Sequence, residues 1–265
     1  MSANDLDRSS STAELDIDLS SFSRELEATG RHPDIVSRIA RVTGAASAHK
    51  DLSDALNAIY AMQKLIDEEQ GGKRQLDASL AMQLSAYFTY ALVLYTRATE
   101  TDAIDRLKWF GRGKLPVDLR EPHTRMMLLR DKGIAHFGRH PVKTLSPAVA
   151  DALTMRLEKT AGGINNQYVY HDTRSIVRGS DVDALESLLE WAMPAAMDAF
   201  DARCDELSAE LKRAASFDRS VHQKVWEHAF DAVGFYRRAG LQVPTGEDEF
   251  QFATQSDPIE GDPTS

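Results

Sequence analysis

Cysteine is almost missing from this sequence: Cys204 is the single one in 265 residues. An internal disulfide is therefore excluded, and a small disulfide-stapled secreted scaffold with it; a reducing, cytoplasmic setting is expected. A basic, apolar leader is lacking too, because MSANDLDRSSSTAELD carries neither a basic n-region nor an apolar h-region. Long apolar runs are scarce. The strongest stretch, about 86–95, falls short of a membrane span and is interrupted by Thr89, so no membrane partner is expected. No phosphate-binding glycine loop, dinucleotide turn, nucleophile elbow or Cys/His zinc pattern occurs. These gaps exclude most cofactor chemistries, and no cofactor is expected.

What is present is uneven charge. The net charge is −10, yet residues 1–29 hold seven acids against two arginines, and residues 245–265 hold six acids and no base. The remainder is close to neutral. Within it, residues 97–144 carry eleven Lys/Arg against six Asp/Glu, with three histidines besides. Acidity at the two ends and a local basic excess suit a phosphate-bearing partner, although a solvated face produces such runs more often. Residues 1–20 and 245–265 are read as disordered acidic tails, and 21–240 as a single helical domain.

Periodicity predicts mainly α structure. Short helices are expected at 21–29 and 34–42. A strong one follows over about 45–69, with Leu52, Leu56, Ile59, Met62, Leu65 and Ile66 on one stripe and Gly71-Gly72 ending it. Residues 74–99 are apolar almost all round, the pattern of a central bundle helix. Gly111-Arg112-Gly113 and Pro116 enforce a loop, and Pro122 suits the start of a helix over about 120–137 that Pro141 stops. Apolar and polar residues then alternate from Leu153 to Glu158, which predicts a small β-hairpin or meander insertion within 151–178. A long C-terminal helical hairpin closes the chain. Its first helix, 181–214, has a kink expected near Pro194, and its second, 218–239, ends at Gly240.

The residues with most chemical potential lie in Arg130-Asp131-Lys132-Gly133-Ile134-Ala135-His136. Spacing alone carries little. With 21 arginines and eight histidines, about two Arg-to-His matches of this kind are expected by chance, and one is found. The wider string MMLLRDKGIAHFGRHP, preceded by the helix containing YFTYALVLYTRATE, resembles the HEPN superfamily, especially its abortive-infection-like branch. Arg130, Asp131 and His136 match that signature. The resemblance covers about residues 45–140 and is specific over its last dozen positions.

That resemblance implies a HEPN-like helical bundle and metal-independent RNA cleavage by a homodimer of toxin or phage-defence type, with an antitoxin or regulatory protein as a further partner. RNA carries its own nucleophile, the 2′-hydroxyl, so a histidine for proton transfer and an arginine for the phosphate suffice. The catalytic candidates are Arg130, His136 and Asp131. Lys132, Arg139, His140, Arg112 and Lys114 are candidate RNA contacts. The alternative is a non-catalytic bundle that binds nucleotide, RNA or protein. No metal is expected, since His136 and His140 have no third ligand. Arg97, on an otherwise apolar helix, is read as a structural ion-pair member rather than a site residue. Geometry adds a condition: six positions on a straight α-helix leave Arg130 and His136 roughly 120° apart. The helix must distort near Gly133, or the pair must converge across a dimer.

Overall fold

The computed structural model describes residues 16–72, 77–100, 110, 112–134, 151–160, 163–172 and 179–240. It is mainly helical. In chain order come α1 (Leu19–Thr29), α2 (Pro33–Gln70), α3 (Ala78–Glu100), α4 (Arg120–Leu128), β1 (Asp151–Thr160), β2 (Gly163–Asp172), α5 (Gly179–Phe217), α6 (Arg219–Trp226) and α7 (Ala232–Arg238). Two compact units are present. One combines Met1–Ala40 with Arg203–Ser265, and the other is Arg41–Ala202.

The 41–202 unit holds the main core. Leu52, Ile59 and Met62 of α2 are buried, as their stripe predicts, and Leu56 and Ile66 pack partly against them. Ala48, Ala55 and Ala58 share that face. α3 contributes Phe88, Ala91, Leu92 and Tyr95, α4 contributes Met126, and α5 contributes Leu185, Leu188, Leu189, Ala192 and Ala196. Each large apolar side chain buried here is worth about 1.5–3 kcal/mol.

Sequence and structure part company over α3. A helix apolar all round predicts burial all round, yet Met82, Tyr87, Tyr90 and Val93 are exposed. Over Ala78–Thr99 it is long and apolar enough to cross a membrane by length and composition, the one such helix among the described residues. Up to Thr96 its polar members (serines, threonines and Gln83) carry no charge, and Arg97 is the one charged residue in that span. α2 also differs from expectation. It runs unbroken from Pro33 to Gln70, so the two helices expected at 34–42 and 45–69 are one. Gly44 between them does not interrupt the ladder.

The β insertion is a two-stranded antiparallel hairpin. Leu153 pairs with Tyr170, Met155 with Tyr168, and Leu157 with Asn166. The alternation identified the strands correctly but not a buried face, since Leu153, Met155, Leu157 and Tyr168 are all exposed.

In the other unit, Phe22, Leu26, Ile35, Ile39, Leu207 and Val221 are buried. The helix expected over 218–239 is broken. Backbone at 228–230 pairs instead with residues 16–18: Asp18 N–H donates to the His228 carbonyl and Phe230 N–H to the Asp16 carbonyl, both at 2.8 Å. The Asp231 carboxylate then accepts from Gly234 N–H and starts α7. Residues 16–20, expected in the tail, are thus ordered, and Asp18 caps α1 by accepting from Ser21 N–H at 2.9 Å.

Candidate functional site

Arg130 stands where α4 changes character. After Leu128 the chain forms a π-helical turn over Leu129–Ile134, which includes Arg130, Asp131 and Gly133. A π-turn bonds residues five apart rather than four and is rare. It also reduces the rotation per residue below that of an α-helix. The chain is thus distorted near Gly133, although a smaller rotation per residue does not by itself turn positions six apart onto one face.

Two side-chain contacts fix how α4 lies in its unit, and hence where Arg130 emerges. His123, buried on the inner face of α4, shares a 2.8 Å hydrogen bond through Nδ1 with the equally buried Tyr95 hydroxyl of α3. The Phe110 ring packs against the His123 ring and, edge-on, against Trp191 of α5. Arg125 Nε donates to Asp181 Oδ1 at 2.6 Å, with the Asp181 side chain only 4% exposed. This carboxylate raises the Arg125 guanidinium above its ordinary range.

Arg130 lies seven positions after His123 and so on roughly the same side of the helix. Its guanidinium reaches the margin of the core. Nε faces the buried Thr96 hydroxyl of α3 at 3.5 Å, and Nη1 donates to Asp131 Oδ1 at 2.5 Å. The Thr96 hydroxyl in turn donates to the Val93 carbonyl at 2.9 Å. The Arg130 side chain is 39% exposed and that of Asp131 51%. The site is a half-exposed, laterally supported guanidinium with one carboxylate on it.

Of the sequence candidates, the structure thus joins Arg130 to Asp131. Lys132 is in the π-turn, and Arg112 and Lys114 form a short 3₁₀ turn in which Lys114 is exposed. The side chains of Lys132 and Arg112 lie outside the described residues, as do His136, Arg139 and His140 entirely. Arg97 pairs as expected: its Nε donates to Asp51 Oδ2 at 2.8 Å and its Nη2 to Asp51 Oδ1. No group of three or more potential metal-ligating side chains occurs among the described residues. Sequence reasoning missed His123 and Tyr95, although His123, Met126 and Arg130 recur at spacings of three and four and mark a single helix face.

Elsewhere in the 41–202 unit, burial pushes the Glu186 carboxyl up, with Glu190 and Asp183 adding like charge, and pushes the buried His49 imidazole down. Neither change is caused by a residue of the Arg130 group.

No protein-family model, curated protein or solved structure matches this chain.

Proposed function

We propose that this protein is a HEPN-like, metal-independent endoribonuclease of toxin or phage-defence type, acting as a homodimer. The observation that supports this reading most is the Arg130 guanidinium, half-exposed on a π-turn and set laterally by Thr96 and Asp131. π-turns inside α-helices are also frequent at functional positions. The basic excess of 97–144 gives the polyanion a local attraction.

In the proposed reaction the 2′-hydroxyl of one nucleotide attacks its own 3′-phosphate. The new P–O bond forms as the bond to the 5′-oxygen of the next nucleotide breaks, leaving a 2′,3′-cyclic phosphate and a 5′-hydroxyl. His136 takes the 2′-proton or returns one to the 5′-oxygen. Arg130 holds the phosphate and stabilises its growing negative charge. Asp131 acts through Arg130 by orienting the guanidinium, a role its 2.5 Å contact suits better than contact with His136. The same ion pair favours the second reading, a non-catalytic bundle that binds nucleotide, RNA or protein, because a guanidinium already paired with Asp131 stabilises charge growing on a reacting phosphate less strongly.

Incubating the full-length chain with a panel of RNAs in the presence of a metal chelator separates the two. The nuclease reading expects cyclic-phosphate ends, with rates reduced about 100-fold or more in Arg130→Ala and His136→Ala. Cleavage that both variants retain at the wild-type rate sinks it. Binding that persists in all three proteins, with no cleavage and no host toxicity on expression, supports the second reading.

A further inference from the structure

Two apolar surfaces of the 41–202 unit are exposed. One is a face of the hairpin. Leu153, Met155 and Leu157 alternate along β1, and Tyr168 pairs with Met155 across the ladder, so all four project to one side. Each is at least half exposed. The sheet has two strands among the described residues, and a lone hairpin is marginally stable in water without a third strand or a helix against it. The other surface is on α3. Met82, Ala86, Tyr90 and Val93 fall within about 80° of arc with Tyr87 at its edge, and all five are exposed.

The two surfaces match in length and chemistry. Leu153 to Leu157 spans about 14 Å of strand, and Met82 to Val93 spans about 16 Å of helix. Ala86, the small residue between Met82 and Tyr90, leaves a hollow for a hairpin side chain. No charged residue interrupts α3 from Ala78 to Thr96, and Thr154 and Arg156 stand on the opposite side of the hairpin. Methionine and tyrosine, prominent on both surfaces, are enriched where proteins associate. Neither surface covers the other within one copy, since both are exposed.

We propose that the occupant is a second copy of this chain, the hairpin of each protomer lying across α3 of its partner. Buried area favours this exchange over like-on-like packing. At about 200 Å² for a fully exposed side chain of this kind, the exposed fractions leave roughly 500 Å² on the hairpin and roughly 400 Å² on α3. Hairpin on hairpin alone buries about 1,000 Å² in total and α3 on α3 about 800 Å², both small for a stable complex. The reciprocal exchange buries about 1,800 Å², a standard interface, and supplies the helix that the hairpin needs. Each copy carries one of each surface, so a two-fold axis closes the assembly at two copies. The inference extends the homodimer of the proposed function and uses none of its chemistry, so association tests it rather than RNA cleavage.

Full-length wild type, Met155→Lys and Tyr90→Glu are compared by sedimentation velocity over about 1–100 µM. Wild type is expected to dimerise with a Kd of about 10 µM or tighter. Each variant places an unpaired charge in both contacts of its own dimer, weakening it at least about 100-fold. An equimolar mixture of the two variants restores the dimer, at least about tenfold tighter than either alone. One of its contacts joins an unaltered hairpin to an unaltered α3, and the other sets the new lysine against the new glutamate. Circular dichroism checks the fold; where a charge unfolds the chain, Met155→Ser or Tyr90→Ser takes its place. A wild type still monomeric at about 100 µM overturns the inference together with the homodimer. Variants that dimerise as wild type does, or a mixture no tighter than its components, overturn the exchange alone and leave the nuclease reading to its own test.

Discussion

Replacing Arg97 with methionine removes both guanidinium hydrogen bonds from Asp51, a carboxylate in a residue only 4% exposed. Breaking a fully buried ion pair from one side costs about 3–5 kcal/mol, whereas an exposed pair is worth about 0.2–1 kcal/mol. This pair lies between those limits, because the Arg97 side chain is 49% exposed and only its partner is dry. Charge-assisted hydrogen bonds contribute about 1.5–3 kcal/mol, so we expect Arg97→Met to cost about 2–3 kcal/mol. For a chain of this size that lowers Tm by about 4–10 °C. Asp51→Asn costs less, since the arginine it releases can turn to water. The double variant should fall short of the sum of the two losses by at least about 1 kcal/mol. Urea unfolding followed by helical circular dichroism measures all four proteins. If Arg97→Met stays within about 0.5 kcal/mol of wild type, or the two losses add, the pair does not hold α2 to α3 as argued.

Tyr95→Phe removes the hydroxyl bonded to buried His123 and should cost about 1–3 kcal/mol in the same assay; a neutral result refutes the pair's positioning role. If Asp131 acts by orienting Arg130, Asp131→Asn should slow RNA cleavage far less than Arg130→Ala, and equal losses would give Asp131 a direct role. Acid affects the two units differently. Hydrogen bonds lower Asp18 chiefly through Ser21, Glu25 through Lys224, Glu210 through Arg213, and Asp218 through Ser220, the last to about 2. Depressed carboxylates stabilise the fold fully above their unfolded values, about 4, and that contribution is lost as pH falls through the folded values. Buried His49 has the opposite dependence on charge: its folded value is lowered, so protonation below about 6.5 already weakens the 41–202 unit. Raised Glu186 offsets part of that loss, since its protonation favours the folded state. With Glu186→Gln removing the offset, the NMR signal of the Trp226 indole should outlast those of the 41–202 core as pH falls from 6 to 4, and the reverse order refutes this account.

The sequence by itself determined the helical class, most helix positions and the hairpin, because apolar period and turn residues are local properties. Leu52, Ile59 and Met62 face the core as their spacing requires, and Arg97 found the carboxylate that its apolar surroundings demanded. Which apolar faces stay exposed was beyond it. Period 2 in β1 and the charge-free run of α3 report a preference for burial, while a partner element in space decides whether burial occurs. The break between α6 and α7 also escaped, since it depends on backbone pairing with residues 16–18, some 210 positions away in the chain. At the Arg130 site the sequence supplied the residues and a geometric condition, distortion near Gly133 or convergence across a dimer. Tertiary structure supplied the π-turn and placed Thr96 and Asp131 on the guanidinium. The physical reason is the same throughout: local propensity sets what a segment favours, but a side chain's partners depend on which distant backbone is brought against it.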